Sequence, residues 1–368
     1  MIYLDNGATS FRKPAGISTA MLRALQTCAN PGRGGYPVAM EAARVVFRCR
    51  QEAAALFECQ PEQVAFTANC THGLNFAIRT LVKPGSRVVI SGFEHNAVTR
   101  PLHALEAKVT VAGRKLFDWE DTLEQFEAAL RGGVETAVFT HVSNVFGYIL
   151  PVEEMAKLCR LYGVPFIIDA AQSAGSLPVS LKALGADFIA MPGHKGLLGP
   201  QGTGLLLCGS LPAPLIQGGT GSISVEQDMP AFLPDRAEAG TLNVPGIAGL
   251  GAGLAYIRKT GTEAILRREQ QELQRCIQGL KRLDAKVFSG PHQAATVSFV
   301  PKIECEDLGD LLARRGIAVR AGIHCAPLAH ESAGTLKTGT VRVSYGHDAS
   351  PAQTFGLLRA AADLLITV

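Results

Sequence analysis

Short apolar runs rich in Val, Ile, Leu and Phe alternate with longer amphipathic stretches through most of the chain. Val64–Thr67, Arg87–Ile90, Val109–Val111, Thr136–Thr140, Phe166–Ile168, Phe188–Met191 and Gly204–Cys208 read as strands. Their near-continuous apolar character fits a sheet covered on both faces. Between them, Val38–Ala55, Leu74–Thr80, Thr122–Leu130, Val152–Tyr162 and Leu181–Leu184 carry apolar residues at helical spacing. Strand and helix in alternation predict βαβ units and a mainly parallel sheet.

Past about residue 245 the pattern changes. Pro245–Thr260 and the charged, amphipathic Thr262–Leu283 read as helices, followed by alternating strands at Ala295–Val300 and Val341–Tyr345 and helices at Leu308–Arg315 and Ala352–Leu365. This is an α+β composition and predicts a smaller second domain. No internal repeat and no disordered tail is apparent.

Composition narrows the class. Lys and Arg number 35 against 32 Asp and Glu, a net charge of +3, with no basic stripe. Proteins built to grip a phosphate backbone are markedly more basic, so nucleic acid is not the expected partner. The opening Met1-Ile2-Tyr3-Leu4-Asp5 meets an acidic residue at once, unlike a signal peptide. The longest uncharged run, Gly196 to Val225, is too broken by Gly and Pro to span a membrane. A cytoplasmic, soluble chain is expected. The nine cysteines form no CxxC pair and no two stand closer than Cys49 and Cys59. That pattern gives neither a zinc site nor a disulfide scaffold, and each cysteine by itself reads as a small buried hydrophobe.

Ligands of open parallel sheets sit beyond the carboxyl ends of the strands. Asp169 ends one apolar strand, and Lys195 follows the next, about one β-loop-α-β step later. Two readings stand for such a pair. One is a structural ion pair. The other is a pyridoxal phosphate (PLP) site, in which the lysine carries the cofactor and the carboxylate keeps the pyridine nitrogen protonated. Thr67-Ala68-Asn69-Cys70-Thr71-His72-Gly73 joins a strand to a helix, either as an ordinary N-cap or as an anion cradle. Glu94-His95-Asn96 and His141-Val142-Ser143-Asn144 follow two further strands. The polar side chains thus gather at successive strand ends along one sheet edge.

These motifs resemble the class V aminotransferase group of fold-type I PLP enzymes, in its cysteine desulfurase/selenocysteine lyase branch. The resemblance runs through nearly the whole chain. It includes Tyr3-Leu4-Asp5-Asn6-Gly7-Ala8-Thr9 (against YLDNAAT), Asp169–Gln172, Gly193-His194-Lys195, Glu238–Asn243, Arg320–Ala326 and Val341–Ser344. It implies a large PLP-binding domain (16–250) with a mainly parallel seven-stranded sheet, a small α+β domain (251–368), and an N-terminal segment (1–15) packed near the active site. Lys195 is then the lysine that carries the cofactor. Asp169 pairs with the pyridine nitrogen, Gln172 meets the ring hydroxyl, and His95 stacks on the ring. Cys70, Thr71 and His194 hold the phosphate. Thr241 reaches the phosphate in a partner subunit, which implies a homodimer. Asn144 and Arg342, with Arg320 close by, hold the substrate carboxylate.

Cys325 is the implied nucleophile, with His324 and Arg320 as neighbours that favour the thiolate. The implied reaction converts L-cysteine to alanine and leaves a persulfide on Cys325 for an acceptor protein, for instance in iron–sulfur cluster assembly. L-selenocysteine, or another amino acid in an aminotransferase or β-lyase reaction, is the alternative. A non-catalytic scaffold is set aside because Lys195, Asp169 and Arg342 are all present. The chain departs from the pattern at Cys70 (usually Thr), Pro192 (usually Ser or Thr) and Ile323 (often His).

Overall fold

The computed structural model describes residues 1–32 and 34–365. Strands occur at β1 (Ile2–Tyr3), β2 (Val64–Thr67), β3 (Arg87–Ser91), β4 (Lys108–Ala112), β5 (Thr136–Thr140), β6 (Phe166–Asp169), β7 (Phe188–Pro192), β8 (Gly204–Cys208), β9 (Lys286–Phe288), β10 (Thr296–Val300), β11 (Ile317–Ala318), β12 (Arg320–Gly322) and β13 (Thr340–Ser344). Among the described residues they form three sheets. The largest has seven strands in the order β2-β8-β7-β6-β5-β3-β4. Its central strands pair in parallel, and β8 runs against both β7 and β2. The carboxyl ends of β2, β3, β5, β6 and β7 therefore share one edge, as the periodicity predicts.

Strands β5, β6, β7 and β8 are buried at every position. Helices cover both faces, which explains the missing polar alternation. On one face Phe66, Phe139, Ile168 and Leu205 join a core that takes in helices Ala15–Thr27, Pro37–Phe57 and Val244–Thr260. On the other, Ile90, Val138, Ile167 and Leu206 pack with helix Cys70–Leu81.

A separate four-stranded antiparallel sheet, β12-β13-β10-β9, lies with helices Thr262–Arg282, Cys305–Arg314 and Pro351–Leu365 around its own core. Leu4 is fully buried in that second core, and β1 pairs in parallel with β11. The start of the chain is thereby stitched to the end of it, and Asn6 donates to the Ser344 carbonyl at 3.3 Å. The last three residues of the expected small domain, 366–368, lie outside the described residues. Among the described residues no helix is long and apolar enough to cross a membrane.

Some elements are not legible from the periodicity. Helices Ala15–Thr27, Asn96–Ala104 and Pro327–Ala333 and strands β1, β9, β11 and β12 are short, lack a clean apolar stripe, or both. One boundary matters for the site: the helix expected from Leu74 starts at Cys70, because Asn69 caps it by accepting from the His72 amide at 2.9 Å.

Candidate active site

A cavity with about 510 Å³ of empty space opens at the shared strand edge. Cys70, Thr71, His95, Asn144, Asp169, Gln172, His194 and Lys195 all line it. The sequence scatters these residues over five loops, and the sheet topology gathers them.

Asp169 closes β6 and is 2% exposed. Its Oδ1 accepts from the Ala171 amide at 2.9 Å and from the Cys70 thiol at 3.3 Å. Oδ2 has no protein partner among the described residues. Lys195 follows β7, and its amine likewise has no hydrogen bond or ion pair among the described residues. Burial lowers its pKa below the ordinary lysine value, and Asp169 works against that shift. The two loops are locked together by glycine: a Cβ on Gly175 would stand 2.3 Å from the Gly196 carbonyl oxygen, and Gly175 has φ +102°.

His95 caps helix Asn96–Ala104, and its Nδ1 accepts from the Ala97 amide at 3.0 Å. Its hydrogen therefore sits on Nε2, and burial holds the ring below the ordinary histidine pKa. Beneath it, the fully buried Glu94 accepts from the Thr140 amide at 2.8 Å and from Ser91, tying the end of β3 to the end of β5. Burial pushes the Glu94 carboxyl up to about 8. Nothing in the sequence apart from its position beside His95 marks this residue.

Other side chains depart from the expected arrangement. The Cys70 thiol points to Asp169 rather than toward the helix N-terminus, so only Thr71, which is exposed, offers a side-chain hydroxyl to an anion there. Gln172 donates from Nε2 to the Gly7 carbonyl at 3.0 Å, leaving Oε1 free. His194 Nδ1 lies 3.0 Å from the Thr9 hydroxyl, and burial lowers its pKa to about 4.

Arg342, on β13, is 3% exposed and lies behind Asn144, a residue of the cavity wall. Nη1 donates to the Asn144 carbonyl at 2.9 Å and Nη2 to Asp5 Oδ1 at 2.6 Å, while Nε is buried without a partner. One Asn144 amide hydrogen goes to the His324 carbonyl at 2.8 Å, and Asn144 Oδ1 is buried and unpaired. Arg320 is half exposed and stands 3.8 Å from Asp5 Oδ2. Asp5 escapes notice in the sequence because its partner lies at the far end of the chain.

Cys325 is the exposed cysteine among nine free ones; Cys28 and Cys59 are half-buried and the rest buried. Burial pushes the Cys159 and Cys276 thiols up to about 12, which makes them inert. Cys325 and His324 have φ +55° and +54°, and the Ala326 amide closes the turn onto the Ile323 carbonyl at 3.0 Å. This is a type I′ turn made without glycine or asparagine. Such residues cost about 1–3 kcal/mol each and persist only where their surroundings hold them. Here the Asn96 amide donates to the Cys325 carbonyl at 2.8 Å, and Asn144 holds that of His324. The expected help from His324 is not present: its ring is buried and turned inward, 3.3 Å from His330 and 3.4 Å from the Arg320 carbonyl.

Thr241 does not line the lysine cavity. It is exposed on a separate cleft with Phe47, Arg50, Thr220 and Glu238, where Arg50 and Glu238 form a buried ion pair.

A half-buried lysine with no partner among the described residues, sharing its cavity with a buried carboxylate that keeps one free oxygen, beside a helix N-terminus, suits PLP: an amine to link, an acceptor for the ring nitrogen and amides for a phosphate. Fold and donor set together are those of a fold-type I PLP enzyme. The chain belongs to the Aminotransferase class-V family, whose sequence profile matches residues 2–353. It is 34% identical to a probable cysteine desulfurase of Pyrococcus abyssi, over 94% of this chain and 89% of that protein. It is 31% identical to a probable cysteine desulfurase of Methanothermobacter thermautotrophicus, over 91% and 89%. The apo structure of cysteine desulfurase from Thermococcus onnurineus superposes with a TM-score of 0.92 at 31% identity, covering 100% of this chain and 95% of that one.

Proposed function

We infer that the protein is a PLP-dependent cysteine desulfurase that takes sulfur from L-cysteine onto Cys325, works as a homodimer and hands the sulfur to an acceptor protein. The observation that carries this reading is the exposed Cys325 on a strained turn whose carbonyls are held by the Asn96 amide and by Asn144, a residue that lines the Lys195 cavity. An aminotransferase needs no thiol there.

In this reading Lys195 would link the cofactor, Asp169 Oδ2 would accept from its pyridine nitrogen, His95 would contact its ring, and Thr71 with the amides of its helix would hold its phosphate. When bound, PLP supplies the electron sink that makes the substrate α-proton removable. Arg342 orients the substrate carboxylate through Nε and Nη2, a side-on pair of charge-assisted bonds. The Lys195 amine, held below its ordinary pKa, takes the α-proton and returns it during turnover. The Cys325 thiolate attacks the substrate sulfur. An S–S bond forms as the substrate Cβ–S bond breaks, the bonding electrons pass to carbon, and carbon takes from solvent the equivalent of the proton that Cys325 released on ionising, so that alanine and the Cys325 persulfide are the products. His324, with both ring nitrogens engaged, is not the proton donor.

The test is alanine and sulfide release from L-cysteine with a thiol reductant, wild type against Cys325→Ala. Loss of sulfide release with the cofactor absorbance retained is expected of the variant. Equal release from both proteins defeats the persulfide step. L-selenocysteine, run in parallel, ranks the two substrates.

A further inference from the structure

The inward-facing ring of His324 is the first member of a buried chain that the reaction itself does not use. His324 Nε2 lies 3.4 Å from the Arg320 carbonyl oxygen, which can only accept, so the hydrogen is on Nε2. Nδ1 is then an acceptor, and its neighbour His330 Nε2, at 3.3 Å, must donate. His330 Nδ1 is in turn an acceptor and takes the Thr335 hydroxyl hydrogen at 2.8 Å. The two rings lie within 9° of parallel. The hydrogen bonds thus run in one direction, from Thr335 through His330 and His324 to Arg320. His330 sits fully buried in helix Pro327–Ala333, against Phe146. Burial lowers the pKa of His324 to about 3 and of His330 to about 4, so both stay neutral over the range in which a thiolate works.

This chain ends on the elements that matter most. Arg320 is paired across the sheet with Arg342, and His324 is the residue before Cys325 in the left-handed turn. We propose that His330 is a positioning residue for the Cys325 thiol. Its Nε2–H fixes the ring of His324, the ring fixes the Arg320 carbonyl, and the turn carrying the thiol is thereby kept left-handed at a set distance from the carboxylate-binding strand. The assignment of Cys325 as the nucleophile rests on the function proposed above, but the positioning does not.

The histidine isosteres separate this role from simple packing. Gln places its amide nitrogen near the Nε2 position and keeps the donation to His324. Asn reaches only the Nδ1 position, keeps Thr335 and loses His324. In His330→Asn, exchange of the Asn96 and Ala326 amide hydrogens, which bond the turn, is expected to speed by about ten-fold or more, with amides of β13 unchanged. In the same variant kcat for sulfide release falls about ten-fold with KM for L-cysteine unchanged, whereas His330→Gln stays close to wild type in both. Equal behaviour of the two variants, whether both impaired or both normal, overturns the proposal. If His330→Asn does not fold, side-chain nitrogen NMR of the wild-type histidines decides it: Nε2-protonated tautomers for His324 and His330 support the chain, and an Nδ1-protonated His324 refutes it. Because amide exchange and tautomers are read without substrate, a wild type that releases no sulfide counts against the function proposed, not against the role of His330.

Discussion

The guanidinium of Arg342 already holds a carboxylate, the Oδ1 of Asp5 at 2.6 Å. Asp5 serves as counter-ion to a buried cation and, in the function proposed, also occupies part of the surface a substrate carboxylate would need. Two carboxylates on one guanidinium repel. Asp5→Asn leaves the hydrogen bond but removes the competing charge. KM for L-cysteine is expected to fall about three- to ten-fold, an effect of about 1 kcal/mol typical of a single charge contact. The melting temperature falls as well, because the buried Arg342 loses its counter-ion. Steady-state kinetics with thermal unfolding check both, and a raised KM sinks the idea that Asp5 competes.

The Cys70 thiol and the Ala171 amide both bind Asp169 Oδ1 and leave Oδ2 toward the cavity. Cys70→Ala removes one of the two bonds that orient the carboxylate. A lost hydrogen bond to a charged group is worth about 1.5–3 kcal/mol, and part of this is expected to appear as weaker PLP binding. Cys70→Ser keeps a donor and is expected to bind PLP nearly as the wild type does. Cofactor titration of the apo proteins, followed by absorbance, distinguishes them. Equal affinities for Ala and Ser remove any orienting role from Cys70.

What was legible in the sequence follows from physics that is local. Strands buried on both faces announce themselves as apolar runs, so β5 to β8 and the edge at which Asp169 and Lys195 emerge are predictable. The residues that line the cavity were likewise recoverable from motif and position. What those side chains bind was not. Cys70 was expected at the phosphate and turns to Asp169, and His324 was expected beside the sulfur and turns to His330. The Cys70 choice depends on a partner far along the chain, as does the pairing of Asp5 with Arg342, whereas His324 turns to a residue only six positions on. The helix Pro327–Ala333 that carries His330 is too short to show a periodic stripe.

The pH dependence of stability gives a test of the buried Glu94. Its carboxyl is raised from an ordinary 4.5 to about 8 by burial. Between those values the folded protein keeps a proton that the unfolded chain has released. Stability conferred by this group is therefore full below the unfolded value and is lost as pH rises through the window, at up to about 1.4 kcal/mol per pH unit. Glu269, also raised to about 8, acts in the same direction. Glu94→Gln is expected to remove roughly half of this slope, measured by denaturant unfolding across the window. An unchanged slope means that Glu94 is ionised in the folded protein.

Thr241 lies on a cleft apart from the lysine of its own chain, with the Glu238 carboxylate behind it bound to Arg50 and to the Phe66 amide at 2.6 Å. The exposed loop at Thr241 is thus anchored on β2 while its hydroxyl is free of the local cavity. If the chain works as a homodimer in which this hydroxyl reaches the other subunit's phosphate, Thr241→Ala weakens cofactor binding although nothing near Lys195 has changed. The expected loss is about three- to ten-fold in affinity, the worth of one hydrogen bond to a charged group shared with other donors. The sharper version mixes two variants. Lys195→Ala chains cannot link the cofactor, but they carry an intact Thr241. Added in excess to Thr241→Ala chains, they form mixed dimers in which the competent lysine faces an intact threonine, and cofactor affinity is expected to return to the wild-type value. No recovery in mixed dimers, shown to form by size and by tag capture, rules out a contribution from Thr241 across the interface.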